Sequence, residues 1–125
     1  ICYLVINLNN RKKDIRKFVN VIENSIINSL KKFGINSYCD RKNIGIWTKL
    51  NNKDKKVGAI GIKVKRWITY HGFSININND ISNYKKIIPC GIKDKSVTTL
   101  KKIDNQNYNK LPVEIIKNLI TNLKV

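Results

Sequence analysis

Ile15, Phe18, Val19, Ile22, Ile26, Leu30 and Phe33 recur at steps of three and four residues between positions 14 and 33, which makes one face of a long helix apolar. Lysines and asparagines fall largely on the opposite side, and Gly34 supplies the stop. Such a face needs a second layer to cover it. The flanking segments supply one, because they read as strands. "CYLVINL" is short, apolar and β-prone, and it ends at Asn9 and Asn10. "SYC" and "IGIWTKL" read as short strands around the basic turn "DRKN". In "KVGAIGIKVKRWITYHGFSININND", alternation from Ile60 through Val64, and again through Phe73, Ile75 and Ile77, predicts two antiparallel strands joined near residues 66–69. Pro112 opens a last helix, with Val113, Ile116, Leu119, Ile120 and Leu123 as its apolar stripe. The order strand, helix, several strands, helix implies an α+β fold, a mainly antiparallel sheet covered by helices. No repeat or linker divides the 125 residues, so residues 1–125 read as one domain.

Composition narrows the classes. Hydrophobic residues make up 42% of the chain, enough to oppose disorder, yet no apolar run is long enough to span a bilayer. The start "ICYLVINLNN" lacks the basic lead and cleavage pattern of a secretory signal, so a soluble intracellular protein is expected, with no membrane partner. Cys2, Cys39 and Cys90 form no paired set and no CxxC, which argues against a disulfide framework or a cysteine-built zinc site. With one histidine, His71, and no HExxH, GxGxxG or GxxxxGK[ST] pattern, neither a metal nor a nucleotide cofactor is expected. A net charge of +17, from 25 basic and 8 acidic residues, first suggests nucleic acid. The lysines are scattered among asparagines and isoleucines, however, and only Arg11, Arg16, Arg41 and Arg66 are available for bidentate contacts, with no basic run interleaved with aromatics. Association with some acidic surface is supported, and a nucleic-acid partner is not expected.

One short stretch carries a chemical question. In "IIPCGI", Pro89 and Gly91 favour a tight turn that could present the Cys90 thiol to a cleft; the plain alternative is a small hydrophobe packed beside Ile87, Ile88 and Ile92. A cysteine nucleophile needs a group that favours its thiolate. By residue type His71 is the first candidate, and a lysine is the alternative, since a nearby ammonium lowers a thiol pKa. Composition does not choose among so many lysines. Gly58, Gly61 and Gly72 interrupt otherwise strand-like runs, a sign of a bulge or of close approach by another molecule.

Residues 56–100 present a lysine followed by "AIG", then "HGF" leading into "SININ", then "PCG", then "VTTL". In that order these segments closely resemble the octanoyltransferase family of lipoate biosynthesis. "YLVINLNNRKKDIRKFVNVIENSIINSLKKFGI" looks like the family's first strand and long helix, and "NIGIWTK" like its GVW-type strand. The similarity runs from residue 1 to about residue 100. It implies a biotin/lipoate protein ligase-like fold. It also implies Cys90 as the acyl-thioester nucleophile and Lys56 as the lysine that lowers the thiol pKa and moves protons. Ala59, Ile60 and Gly61, with Gly72, Phe73 and Ser74, match two segments lining the acyl channel, where a strand without Cβ atoms can lie against an acyl chain. His71 becomes a supporting residue. The implied reaction passes an octanoyl group from octanoyl-acyl carrier protein through Cys90 to a lysine on lipoyl domains of 2-oxoacid dehydrogenases or glycine cleavage H protein, without ATP. A bacterial cytoplasm or an organelle matrix would house it.

Family members also carry an arginine-glycine-glycine and TYHGPGQ block ahead of the region matching "ICYLVINL". The "TYHG" at residues 69–72 is not that block, because it runs directly into "FSININ". The chain is therefore expected to be a partial domain, incomplete at its N-terminus. Two rivals remain: an ATP-dependent ligase of related fold, which would not need Cys90, and a basic nucleic-acid-binding module.

Overall fold

A computed structural model of the protein describes residues 1–82 and 96–125. The predicted long helix is α1, Ile15–Lys32. Asp14 caps it by accepting the Lys17 backbone N–H at 3.0 Å, and the chain leaves through Gly34 in a left-handed conformation, φ 77°. Phe18, Ile22, Ile26 and Leu30 are buried as its spacing requires. Ser25 and Ser29 are fully buried beside them. Their hydroxyls bond back to the carbonyls of Val21 and Ser25, both at 2.7 Å, and accept the side-chain amides of Asn122 and Asn118 at 2.9 and 2.7 Å. Those asparagines belong to the C-terminal helix, so a polar seam runs through an otherwise apolar helix pair.

That C-terminal helix, Leu111–Leu123, follows a single-turn helix at Leu100–Ile103; they are α3 and α2. The stripe expected on α3 is corrected. Leu111, Ile115, Leu119 and Leu123 are buried, whereas Val113, Ile116 and Ile120 are 69%, 50% and 49% exposed. Apolar residues occur on both sides of this helix, and it is the row Leu111, Ile115, Leu119 and Leu123 that packs with the α1 face in the core. The Arg11 guanidinium ties the N-terminal segment to the end of α3 through the Leu123 carbonyl at 2.5 Å.

The strands are β1 Cys2–Tyr3, β2 Ser37–Tyr38, β3 Ile46–Leu50, β4 Lys53–Ile60, β5 Lys63–Lys65, β6 Ile68–Tyr70, β7 Gly72–Ile75 and β8 Ser96–Val97. Among the described residues the main sheet has the order β1-β7-β4-β3-β2, with β8 also beside β4. Every pairing is antiparallel except β4 with β8. The predicted two-strand unit is real but interrupted: β4 pairs β7 at its base, and β5 with β6 forms a separate hairpin at its tip. Its turn is Arg66 and Trp67, both at positive φ, rather than the longer connection expected. "CYLVINL" is a strand only at Cys2 and Tyr3. Beyond them the chain still follows β6, with Leu4 N–H on the His71 carbonyl at 2.7 Å and Leu8 N–H on the Trp67 carbonyl at 2.6 Å. The buried Thr69 hydroxyl replaces a ladder rung, accepting from Ile6 N–H at 2.9 Å and donating to the Leu4 carbonyl at 2.8 Å. A short 3-10 turn, Leu8–Asn10, ends the run.

Candidate active site

The side chain of Lys56 is placed by the register of the β3–β4 hairpin, in which Leu50–Lys53, Lys49–Asp54, Thr48–Lys55 and Trp47–Lys56 pair without interruption before a one-residue irregularity follows. Trp47 opposes Lys56, but the next residue of β3, Ile46, opposes Gly58, so Val57 is an extra residue. Strand side chains alternate faces, and Trp47 and Ile46 point to opposite sides of the sheet. Lys56 therefore shares the Trp47 face while Gly58 shares the buried Ile46 face. Ala59, one residue on, returns to the Lys56 side together with its cross-strand partner Ser74. Without the bulge Ala59 would fall on the opposite face from Lys56.

The two segments proposed to line an acyl channel are brought into direct register. Ala59 opposes Ser74, Ile60 opposes Phe73, and Gly61 N–H donates to the Gly72 carbonyl at 2.8 Å. Their faces differ. Phe73 is part of the buried core and Ile60 packs against it, whereas Ala59 and Gly61 are exposed. The two glycines also differ in what excludes a side chain. Among the described residues a Cβ at Gly61 would meet nothing within 4 Å, but one at Gly72 would lie 1.9 Å from the Cys2 carbonyl oxygen. Gly72 thus admits β1, and only Gly61 leaves open space. His71 is exposed at the break between β6 and β7, at φ 62°, with its ring 4.9 Å from the Tyr70 ring.

Around Lys56 lie residues to which sequence reading gave no role. Its ammonium stands 5.9 Å from the Trp47 ring centroid, at the outer edge of the cation–π range. Trp47 is buried and donates its Nε1–H to the Asn43 carbonyl at 2.8 Å, which folds residues 43–45 over the strand. Tyr38 opposes Trp47 from β2 and donates its hydroxyl to Asp54. Burial first, and then that carboxylate, push the Tyr38 phenol up to about 12. The signal for these residues was the "GIW" run, but the pairing of its Trp47 with Lys56 is set by the tight turn at Asn51 and Asn52, both at positive φ.

Cys90 lies outside the described residues. At the other two thiols the surroundings disfavour the thiolate. Burial pushes Cys2 up, and burial followed by the Glu23 carboxylate pushes Cys39 up. Asn76 N–H donates to the Val57 carbonyl at 2.7 Å, and β8 lies beside β4, with Val97 opposite Lys56 and Thr98 N–H on the Lys56 carbonyl at 2.9 Å. Among the described residues no group of three or more His, Cys, Asp or Glu is placed to hold a metal, and no helix is long and apolar enough to cross a membrane.

An antiparallel sheet backed by α1 and α3, with a lysine turned outward opposite Trp47, defines an α+β domain of the biotin and lipoate ligase type. A biotin protein ligase from Aquifex aeolicus superposes with a TM-score of 0.71 over 98% of this chain and 51% of that one, at 21% identity. A bipartite lipoate protein ligase with its E2 lipoyl domain, from Thermoplasma acidophilum, gives a TM-score of 0.69 over 89% of this chain and 46% of that one, at 10% identity. The chain belongs to the lipoyl protein ligase A/B catalytic domain family, whose model matches residues 1–122. Within it the similarity is to octanoyltransferases: 42% identity to that of Rickettsia bellii over 94% of this chain and 60% of that protein. That of Zymomonas mobilis is 46% identical over 80% of this chain and 46% of the relative. The chain therefore spans roughly half the length of the curated relatives it matches.

Proposed function

We propose that the protein transfers an octanoyl group from the thioester of an acyl carrier protein to a lysine of a lipoyl domain, through a thioester on Cys90. The observation that carries this reading is the identity to octanoyltransferases through the region holding Lys56, the paired acyl-channel segments and Cys90. The geometry around Lys56 supports it. The lysine is turned outward onto the face that holds Ala59 and Ser74, next to the open space at Gly61. Cys90 stands six positions before Ser96, whose strand runs beside Lys55 and Lys56, so a connection of at most ~20 Å is short enough for sulfur and ammonium to meet. The raised pKa values of Cys2 and Cys39 leave Cys90 as the thiol suited to the task.

In the first step the Cys90 thiolate attacks the octanoyl carbonyl, the carbon–sulfur bond to the carrier breaks, and the carrier thiolate takes a proton. Lys56 supplies the positive charge that favours the Cys90 thiolate and gives that proton up to the carrier thiolate. In the second step the target amine attacks the octanoyl-enzyme, passes a proton to the now neutral Lys56 and expels the Cys90 thiolate, leaving an amide and restoring the starting protonation of the pair. Exchange between two thioesters is nearly neutral and amide formation from a thioester is downhill, so no ATP is required. The basic surface suits acidic carrier proteins. His71 acts as support and carries no proton in this scheme.

The test is transfer from octanoyl carrier protein to a lipoyl domain, assayed in the complete protein with and without ATP. Transfer independent of ATP, and lowered ~100-fold in Lys56→Ala, is the expected outcome. An absolute ATP requirement would favour an adenylating ligase instead.

A further inference from the structure

The lane followed by the Lys56 side chain is left open by one residue of the neighbouring strand region. An ideal Cβ built on Gly45 would stand 2.4 Å from Lys56 Cε, 3.2 Å from Lys56 Nζ and 2.8 Å from the Gly58 carbonyl oxygen. Two of those three contacts are with the lysine itself. Gly45 precedes Ile46 at the bulge, so its α-carbon lies on the outward face and the lysine stem passes directly over it. Trp47, two residues on, flanks the ammonium from the same face. Gly45 is also at φ 145°, a conformation disfavoured for residues with a side chain. Backbone strain alone does not account for the contacts, however. Gly34 is likewise at positive φ, 77°, and a Cβ there would meet nothing within 4 Å.

We infer that Gly45 is a positioning residue for the transfer reaction: its missing side chain fixes the path of Lys56 and hence where the ammonium is delivered. This rests on the assignment of Lys56 to the catalytic pair. Alanine at 45 would fill the lane and turn the lysine aside, so the thiol would lose the charge that keeps it ionised near neutral pH.

The experiment is a double-mutant cycle of Gly45→Ala with Lys56→Ala, read as the pH profile of single-turnover octanoyl transfer, with Gly34→Ala as the control for strain. Gly45→Ala is expected to move the acidic limb of the profile upward by about one pH unit, towards that of Lys56→Ala. It should add no further loss in the Lys56→Ala background. Gly34→Ala should leave the limb in place. An equal loss from Gly45→Ala in both backgrounds would overturn the inference while leaving the role of Lys56 intact. Full transfer by Lys56→Ala would instead overturn the assignment of the lysine. Should Gly45→Ala not fold, the wild-type protein decides: a proton–proton NOE from the Gly45 α-carbon to Lys56 Cε is expected in solution, and its absence refutes the lane.

Discussion

Tyr38, Trp47, Asp54 and Lys56 occupy one face of three adjacent strands, so the chemistry of each depends on its neighbours. The Tyr38–Asp54 link is the clearest case. Burial and then the carboxylate make the neutral phenol the favoured form, up to about 12 against an ordinary 10. Because the folded value is the higher, the stabilisation is fully present below pH 10 and is lost as pH rises through about 12. An ultraviolet titration of the folded protein should therefore show one tyrosine ionising far above the ordinary value. Asp54→Asn should lower that midpoint without returning it to 10, since burial is the first cause. Ordinary titration of Tyr38 in the folded state would contradict the hydrogen-bonded arrangement. At this scale the sequence showed residue types well and neighbours poorly. Lys56 was identified only through resemblance to a family. Trp47 and Gly45 received no role, because what brings them to Lys56 is cross-strand register: Trp47 pairs with it directly, and Gly45 lies just beyond the offset at Val57.

At the scale of elements, the pairing of α1 with α3 rests on apolar burial interrupted by the Ser25, Ser29, Asn118 and Asn122 seam. A buried polar group must be satisfied, so removing one member leaves its partner exposed to the full penalty. Ser29→Ala should destabilise the protein by ~1–2 kcal/mol in urea unfolding. Ser29→Ala with Asn118→Ala should lose less than the sum of the two single changes, because both act on one contact. Strict additivity would show the contact to be energetically idle. The α1 stripe was legible because its cap, its spacing and its terminal glycine all agree. The α3 stripe differs for a physical reason: Val113, Ile116 and Ile120 are as apolar as the buried row, and it is Leu111, Ile115, Leu119 and Leu123 that pack with the α1 face in the core. The tip hairpin was shifted because Arg66 and Trp67 adopt a left-handed turn that their residue types do not advertise.

At the scale of the whole molecule, α+β class and a mainly antiparallel sheet followed from element order. The assembly of the sheet did not, because β4, besides its hairpin partner β3, gathers β7 and β8 from further along the chain. That convergence bears on function. The outward lysine, the paired Ala59 to Ser74 wall and the return of the chain at β8 meet along one strand. The account stands on a covalent acyl-enzyme at Cys90. The most direct measurement is intact mass spectrometry of the complete protein after incubation with octanoyl carrier protein. The wild type should gain one octanoyl group, mapped to Cys90 and released by hydroxylamine, and Cys90→Ser should gain none. A folded, active protein that never acquires the group, or an adduct that persists unchanged in Cys90→Ser, would contradict it.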